Sequence, residues 1–307
     1  MAAMPAPSAS SSLDLSRLPP FQLVEVDYEA SLAKLLERVG QRLAARGLEF
    51  DPSDETNPIV MLAEEVAYEK ILGQQETNDA GNQMTAAYGV GAALDHVGAT
   101  YYADLGDHVL RQAGEKDDRY RRRLMLAASA RVPGSLLGYM FWGLTLGPNL
   151  RDARALNHTS GLVSPGTIAL ILLGDDDDDD DGPAGEAAQV SAVIDGLNHP
   201  GRKLGTDTLV IRAAKRMVSP LQAVLELEGA GPDANLVLQE ATRRLETFML
   251  ERRRVGAVVS RSSLSAALTV GGVQRVRFLA PATDLMPGPD GVVQLSAIQL
   301  STEVING

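Results

Sequence analysis

The stretch LQAVLELE, residues 221–228, decides the fold. Leu221, Ala223, Leu225 and Leu227 fall on one face, and Gln222, Glu226 and Glu228 on the other. A period of two is that of a half-buried strand. A turn at Gly229 to Pro232 follows, then a long amphipathic helix from Asp233 to Val255. A short helix opened by a serine, a Gly271-Gly272 turn and a second alternating strand, Val273 to Leu279, come next. After a turn at Pro287 to Gly291, a last strand covers Val292 to Leu300. This is a complete α/β module with a readable core. Its residues form no arrangement that could run a reaction.

Upstream lies a smaller unit of the same kind. Ala153 to Thr159 and Thr167 to Leu173 read as strands joined by a Ser-Pro-Gly turn. A run of seven aspartates, Asp175 to Asp181, reads as a loop. A helix from Glu186 to Leu197, a loop and a strand from Asp207 to Ala214 complete a β-β-α-β unit.

Everything before that reads as helix. In residues 27–47, Leu32, Leu35, Leu36, Val39 and Leu43 make one narrow apolar stripe, with Asp27 as N-cap and Gly47 as terminator. Asn57 caps a second helix with Pro58 at its first position, where the missing N–H costs nothing. Its stripe is Ile59, Leu62, Ala63, Val66 and Ala67, and it extends to about Tyr88. Helices over Ala92 to Ala99, Asp117 to Ala130 and Ser135 to Thr145 follow, the last carrying the single Trp, Trp142. The expected fold class is α+β: an all-helical N-terminal head followed by two tandem small α/β sandwich domains with mostly antiparallel or mixed sheets. The expected divisions are a flexible tail at 1–20, the head at 21–150, a middle domain at 151–216 with the Asp-run loop at 175–181, and a C-terminal domain at 217–307.

Composition narrows the function. Hydrophobic residues at 45% are ample for packed cores. With no cysteine there is no disulfide, thiolate metal site or Cys nucleophile. No apolar run is long enough to span a membrane. The Ser/Ala/Pro-rich start lacks the basic and apolar regions of a secretory signal. Most of the formal charge of −12 is the one aspartate run. That balance argues against nucleic acid, which favours a basic stripe.

The tempting chemistry reads more simply as structure. Asp175, Asp177, Asp179 and Asp181 are candidate calcium ligands, but consecutive identical residues do not all converge on one ion, and the spaced D-x-D-x-D-G pattern is absent. The run reads as a solvated, self-repelling insertion. The four histidines are scattered. Asp95-His96 beside Tyr101-Tyr102 reads as a polar turn between helices rather than a catalytic dyad. No phosphate-binding glycine loop and no G-x-S-x-G elbow occurs. Two arginine clusters, one with Arg119, Arg121, Arg122 and Arg123 and one with Arg252, Arg253 and Arg254, read first as solvated helix faces and second as inter-subunit salt-bridge patches. No cofactor is expected.

Three ordered stretches carry a resemblance. The first is Pro58 to Ala99, with Pro-Ile-Val-x-Leu at its start, Asn78-Asp79-Ala80 in the middle and Gly91-Ala-Ala-Leu-Asp-His-Val-Gly-Ala99 at its end. The second is Asp117-Asp-Arg-Tyr-Arg-Arg-Arg-Leu124, then Pro133-Gly-Ser135 and Pro148-Asn-Leu-Arg-Asp152. The third is Leu204-Gly-Thr-Asp207, Leu250-Glu-Arg252 and Gly272-Val-Gln-Arg-Val276. In this order, from about Leu18 to the last residues, the chain resembles the baseplate assembly protein J family of contractile phage tails, tailocins and contractile injection systems. It departs from the pattern at the aspartate run and in its leader.

The resemblance implies a non-enzymatic wedge subunit. Its partners would be a second copy in the wedge, a related wedge subunit, a sheath-proximal wedge protein and the central hub and spike. No nucleic acid or membrane is implied. Six wedges would close a ring and couple its rearrangement to sheath contraction. Assembly would take place in the bacterial cytoplasm, and the product would be part of a phage tail or extracellular particle. The expected interface residues are Leu32, Leu35, Leu36, Val39 and Leu43 on the head, Arg121, Arg122, Arg252 and Arg253, and the strand residues Leu225, Leu227, Val276 and Phe278. The competing reading is a calcium- or carbohydrate-binding module, or an enzyme, with its site near the aspartate run.

Overall fold

The computed structural model describes residues 18–174, 182–228 and 233–305. Within these the fold is α+β, with a helical N-terminal region and two three-stranded mixed sheets. The chain forms two compact units, with the boundary after Leu124.

The first unit is helical. α1 (Tyr28–Ala44) starts where the Asp27 carboxylate accepts the Ala30 N–H, and α2 (Pro58–Gln83) where the Asn57 side chain accepts that of Ile59. α3 (Ala92–Tyr101) starts after Gly91, whose φ of 52° suits a residue without a Cβ. α2 stops short of the expected Tyr88, and the chain from Met84 turns before α3. Asn78 and Asn82 on α2 hold the segment ahead of α1. The Asn78 amide accepts from Leu23 N (2.8 Å) and Val24 N (2.9 Å) and donates to Val24 O, while Asn82 donates to Phe21 O (3.0 Å). These two side chains act as a short strand partner for an extended segment. Residues 18–20, expected in the tail, lie among the described residues, while 1–17 lie outside them.

α4 (Asp117–Ala130) contains the boundary. In the second unit α5 (Leu136–Leu146) is capped by the Ser135 hydroxyl and is buried along most of its length, as its apolar sequence requires. β1 (Leu150–Leu156), β2 (Thr167–Gly174), α6 (Gly182–Leu197) and β3 (Thr208–Ala213) make the β-β-α-β unit. β1 and β2 are antiparallel, and β2 and β3 parallel through the α6 crossover. β2 is apolar from Ile168 to Leu173 and buried throughout, because α5 and α6 cover one face and further chain covers the other.

β4 (Lys215–Glu228), α7 (Ala234–Arg252), α8 (Arg261–Leu268), β5 (Val273–Ala280) and β6 (Gly291–Ile305) form the last module. Its strand order is β5-β4-β6, with β5 antiparallel and β6 parallel to the central β4. The alternation read at residues 221–228 is the sheet's inner face: Leu221, Ala223, Leu225 and Leu227 pack beneath Val237, Ala241, Leu245, Leu264 and Leu268 of α7 and α8. β4 begins at Lys215, one residue after β3 and Ala214, so the expected boundary at 216/217 lies inside a strand. Leu156, Ile171 and Leu173 of the first sheet share a core with Val255 and Val292 of the last module.

Candidate functional site

Among the described residues, no group of three or more His, Cys, Asp or Glu is placed to hold a metal ion. The candidate ligands Asp175, Asp177, Asp179 and Asp181 lie outside the described residues. No described helix is long and apolar enough to cross a membrane. The expected sites that can be located are therefore surfaces.

The α4 arginines are not a solvated face. Arg123 is fully buried. Its Nε and Nη2 meet the two Glu115 oxygens at 3.0 and 2.7 Å, and its remaining N–H groups reach His108 O (2.5 Å) and Leu110 O (2.6 Å). Glu115 also takes Arg119 at 2.7 Å and the Gln112 N–H at 3.0 Å. All four Glu115 lone-pair sites and four of the five Arg123 N–H groups are answered, close to the condition under which a buried pair is tolerated. Arg121, expected at an interface, donates to Ala86 O and Gly89 O, both at 2.8 Å, and so fastens the loop after α2. Four helical residues apart or fewer, these side chains all find partners within their own unit, because α4 passes beside loops rich in unpaired carbonyls. Arg122 is half-buried.

Asp95 lies inside α3 rather than in a turn. It takes Arg111 at 2.6 Å, and the same guanidinium pairs with Asp117 at 2.7 Å. The Asp117 carboxyl is held below its ordinary value by the Gly91 N–H and by Arg111, against the opposing effect of burial. This is a structural clamp, with Asp95 engaged by Arg111.

On the helical unit the α1 stripe Leu32, Leu35, Leu36, Val39 and Leu43 is half-buried, with α2 as its neighbour. The α2 stripe divides. Val60, Ala63 and Ala67 are buried, whereas Leu62 is 64% and Val66 45% exposed, with Ile59, Met61 and Tyr68 exposed beside them. A single helix leaving that many apolar side chains in water is a mark of an interaction surface.

In the last module lie Leu225 and Leu227, expected at an interface. They are buried in its core, because the face they share carries the hydrophobic half of the alternation. Val276 and Phe278 are half-buried and pack on the same core. Arg252 is exposed with its guanidinium over the Phe248 ring, and Arg253 donates to Gly174 O at 3.3 Å. A cleft of about 260 Å³ opens beside them between α7 and β6, walled by Met249, Leu250, Leu295 and Ile298.

The two sheets of this unit are joined by polar contacts that no local pattern announces. Asp152 of β1, 2% exposed, accepts the Val255 N–H at 2.8 Å, and Arg154 donates to Val255 O at 3.1 Å. Asp290 takes Arg212 at 2.7 Å and Lys215 at 3.0 Å. Burial pushes the Asp290 carboxyl up, but the bonds from Lys215 and Arg212 outweigh it and hold the group below its ordinary value.

A helical region with an exposed apolar row, followed by two mixed sheets, fits an assembly subunit. The comparisons give the class: residues 55–104 match the Baseplate J-like N-terminal domain. Together with a curated relative, this supports the baseplate J family. It is 28% identical over 292 residues to Baseplate protein J of Escherichia phage P2, a match covering 89% of this chain and 92% of that protein. The match to the family domain takes in α2 and α3, the elements that carry the exposed apolar row and the asparagine brace.

Proposed function

We propose that this chain is a structural, non-catalytic subunit of the baseplate wedge in a contractile phage tail. Six wedges form a ring around the hub and spike, and a shift at the ring's interfaces releases sheath contraction. Packed interfaces have discrete arrangements, so a small displacement at one becomes rigid-body motion. The family resemblance carries this reading. The exposed apolar row of α2 supports it, as the surface on which a related wedge subunit would lay its own helix.

In this reading residues 21–150 serve the wedge bundle, and residues 217–307 make the contacts that close the ring. Residues 1–20 lead into the bundle, and residues 151–216 form the middle domain between the two surfaces. The further partners are a second copy, a sheath-proximal wedge protein and the hub. Assembly takes place in the bacterial cytoplasm. Electron microscopy of the native particle tests it: the chain is expected in a six-fold ring below the sheath, in two conformers per wedge. A particle whose ring lacks the chain would overturn the reading. A single conformer throughout would overturn its double use.

A further inference from the structure

The two sheets have four outer strands, β1 and β3 in one and β5 and β6 in the other. Two carry charge along their length, with Arg151, Asp152 and Arg154 in β1 and Arg275 and Arg277 in β5, and the short β3 has Arg212 within its six residues. Charges on an edge discourage pairing with another chain. β6 differs. From Gly291 to Thr302 it has no charged residue and no proline, and Glu303 is the one charge in the strand. Its inner edge is bonded to β4 along its length. Beyond Gly291, no backbone bond outside the β4 ladder is found for it among the described residues.

A shift in register opposite Pro220, at Ser296 and Ala297, splits β6. After it, Ile298 to Ile305 run in unbroken register against Leu221 to Glu228. This second half is apolar on the core side but incompletely covered: Ile298 is 39% and Val304 56% exposed. On the open face Gln299, Ser301 and Glu303 are exposed. The Gln299 carbonyl oxygen accepts from Gln222 at 2.9 Å, which leaves its N–H₂ as a donor. Glu303 takes Arg277 through Oε2 at 2.7 Å, which leaves Oε1 as an acceptor.

We propose that the outer edge of β6, from Ile298 to Val304, pairs antiparallel with the same strand of a second copy about a two-fold axis at Ser301. The strand is self-complementary in that register. Gln299 lies opposite the second copy's Glu303, donor against acceptor. Ile298 lies opposite Val304, so the two uncovered apolar margins cover each other. Leu300 lies opposite Thr302. The two glutamates stay apart, and no like charges face one another across the strands, an arrangement that would be unfavourable. A two-fold contact of this kind uses one patch on both copies, and joins two three-stranded sheets into one continuous sheet. The inference rests on the reading that the last module makes contacts between copies, and it names the strand and register.

The chain has no cysteine, so introduced thiols report without background. The full-length Ser301→Cys variant, treated with a short bifunctional thiol reagent, is expected to give a covalent dimer as its main product. Arg275→Cys on the β5 edge is expected to stay monomeric. Ser301→Lys, which sets two cations face to face, is expected to lose the dimer in sedimentation while keeping its circular dichroism and melting temperature. Absence of the Ser301→Cys dimer at concentrations where the wild-type chain self-associates, or a Ser301→Lys variant that dimerises as well as wild type, would overturn the proposal. A β6 dimer from a chain that no native baseplate contains would uphold this inference and sink the wedge reading. A chain present in the ring but not cross-linked at Ser301 would do the reverse.

Discussion

Asp152 and Val255, more than a hundred positions apart, are joined by a buried hydrogen bond: the β1 carboxylate accepts the Val255 backbone N–H at 2.8 Å. Val255 follows α7 and belongs to the core shared by the two sheets. The bond fixes where the chain re-enters after α7, and hence how α8 and β5 are delivered to β4.

Asp152→Ala should therefore leave the Val255 N–H unanswered in a buried place. The expected cost is about 1–3 kcal/mol, the penalty for an unsatisfied buried donor. Urea unfolding of the full-length chain measures it, and Asp152→Asn, which keeps a carbonyl acceptor, should recover part of the loss.

The Arg123–Glu115 pair in the helical unit should be costlier to break. Glu115→Ala leaves the fully buried Arg123 guanidinium without its counter-charge. Removing one member of such a pair costs about 3–5 kcal/mol. Arg243→Ala on the exposed face of α7 should shift the same unfolding midpoint little, although Glu240, its partner, is held down at about 2 by hydrogen bonds from Arg243 and Arg244.

Gly98 packs against the Tyr120 ring, and a Cβ there would overlap the Tyr120 hydroxyl. That hydroxyl donates to Val109 O at 2.8 Å. Gly98→Ala should destabilise by about 1–3 kcal/mol through overpacking. Adding Tyr120→Phe should relieve part of the clash, so a double-mutant cycle in thermal unfolding should show coupling between the two.

Acid should loosen the join between the sheets. The Asp290 carboxyl lies below its ordinary value of 3.8 in the folded chain. A carboxyl depressed by folding contributes its stability above the unfolded value, and that contribution is lost as pH falls through the folded one. Asp290→Asn should lower stability at neutral pH and flatten its decline below about pH 4, where the unfolded group starts to take up protons. Denaturant midpoints across pH 2–7 for both proteins check the sign.

On α2, Leu62→Asp alters a residue that is 64% exposed. Stability should change by less than about 0.5 kcal/mol, as for other surface positions. Incorporation into the baseplate should fall sharply if that row seats a partner helix. Purified particles from a complemented null phage provide the count.

Local pattern carried most of the elements. Asp27 and Asn57 were legible as caps, and both side chains accept the first-turn N–H groups expected of them, as Ser135 and Ser260 also do in the structure. The alternation at 221–228 marks the inner face of the last sheet, and Leu225 and Leu227, expected at an interface, lie in that core. The arginines of α4 misled for a related reason. Charge on a helix reads as solvent exposure, and only the surrounding loops show that Arg123 and Arg121 are consumed by carbonyls. The brace is not legible locally: Asn78 falls in the Asn78-Asp79-Ala80 motif, but its partners and those of Asn82 lie more than fifty residues away.

By itself the sequence determined the helical region, the order of strands and helices after it, the caps Asp27 and Asn57, and the family resemblance, because these depend on short-range periodicity and on residues close together in the chain. Tertiary structure alone decided the mixed strand order β5-β4-β6 and the shared core around Val255. It also decided which half of the α2 stripe is buried, and that β6, with a single charge, is left as an edge. Burial and strand adjacency arise from segments meeting across long stretches of chain, and a pattern of apolar positions names a face without naming what will cover it.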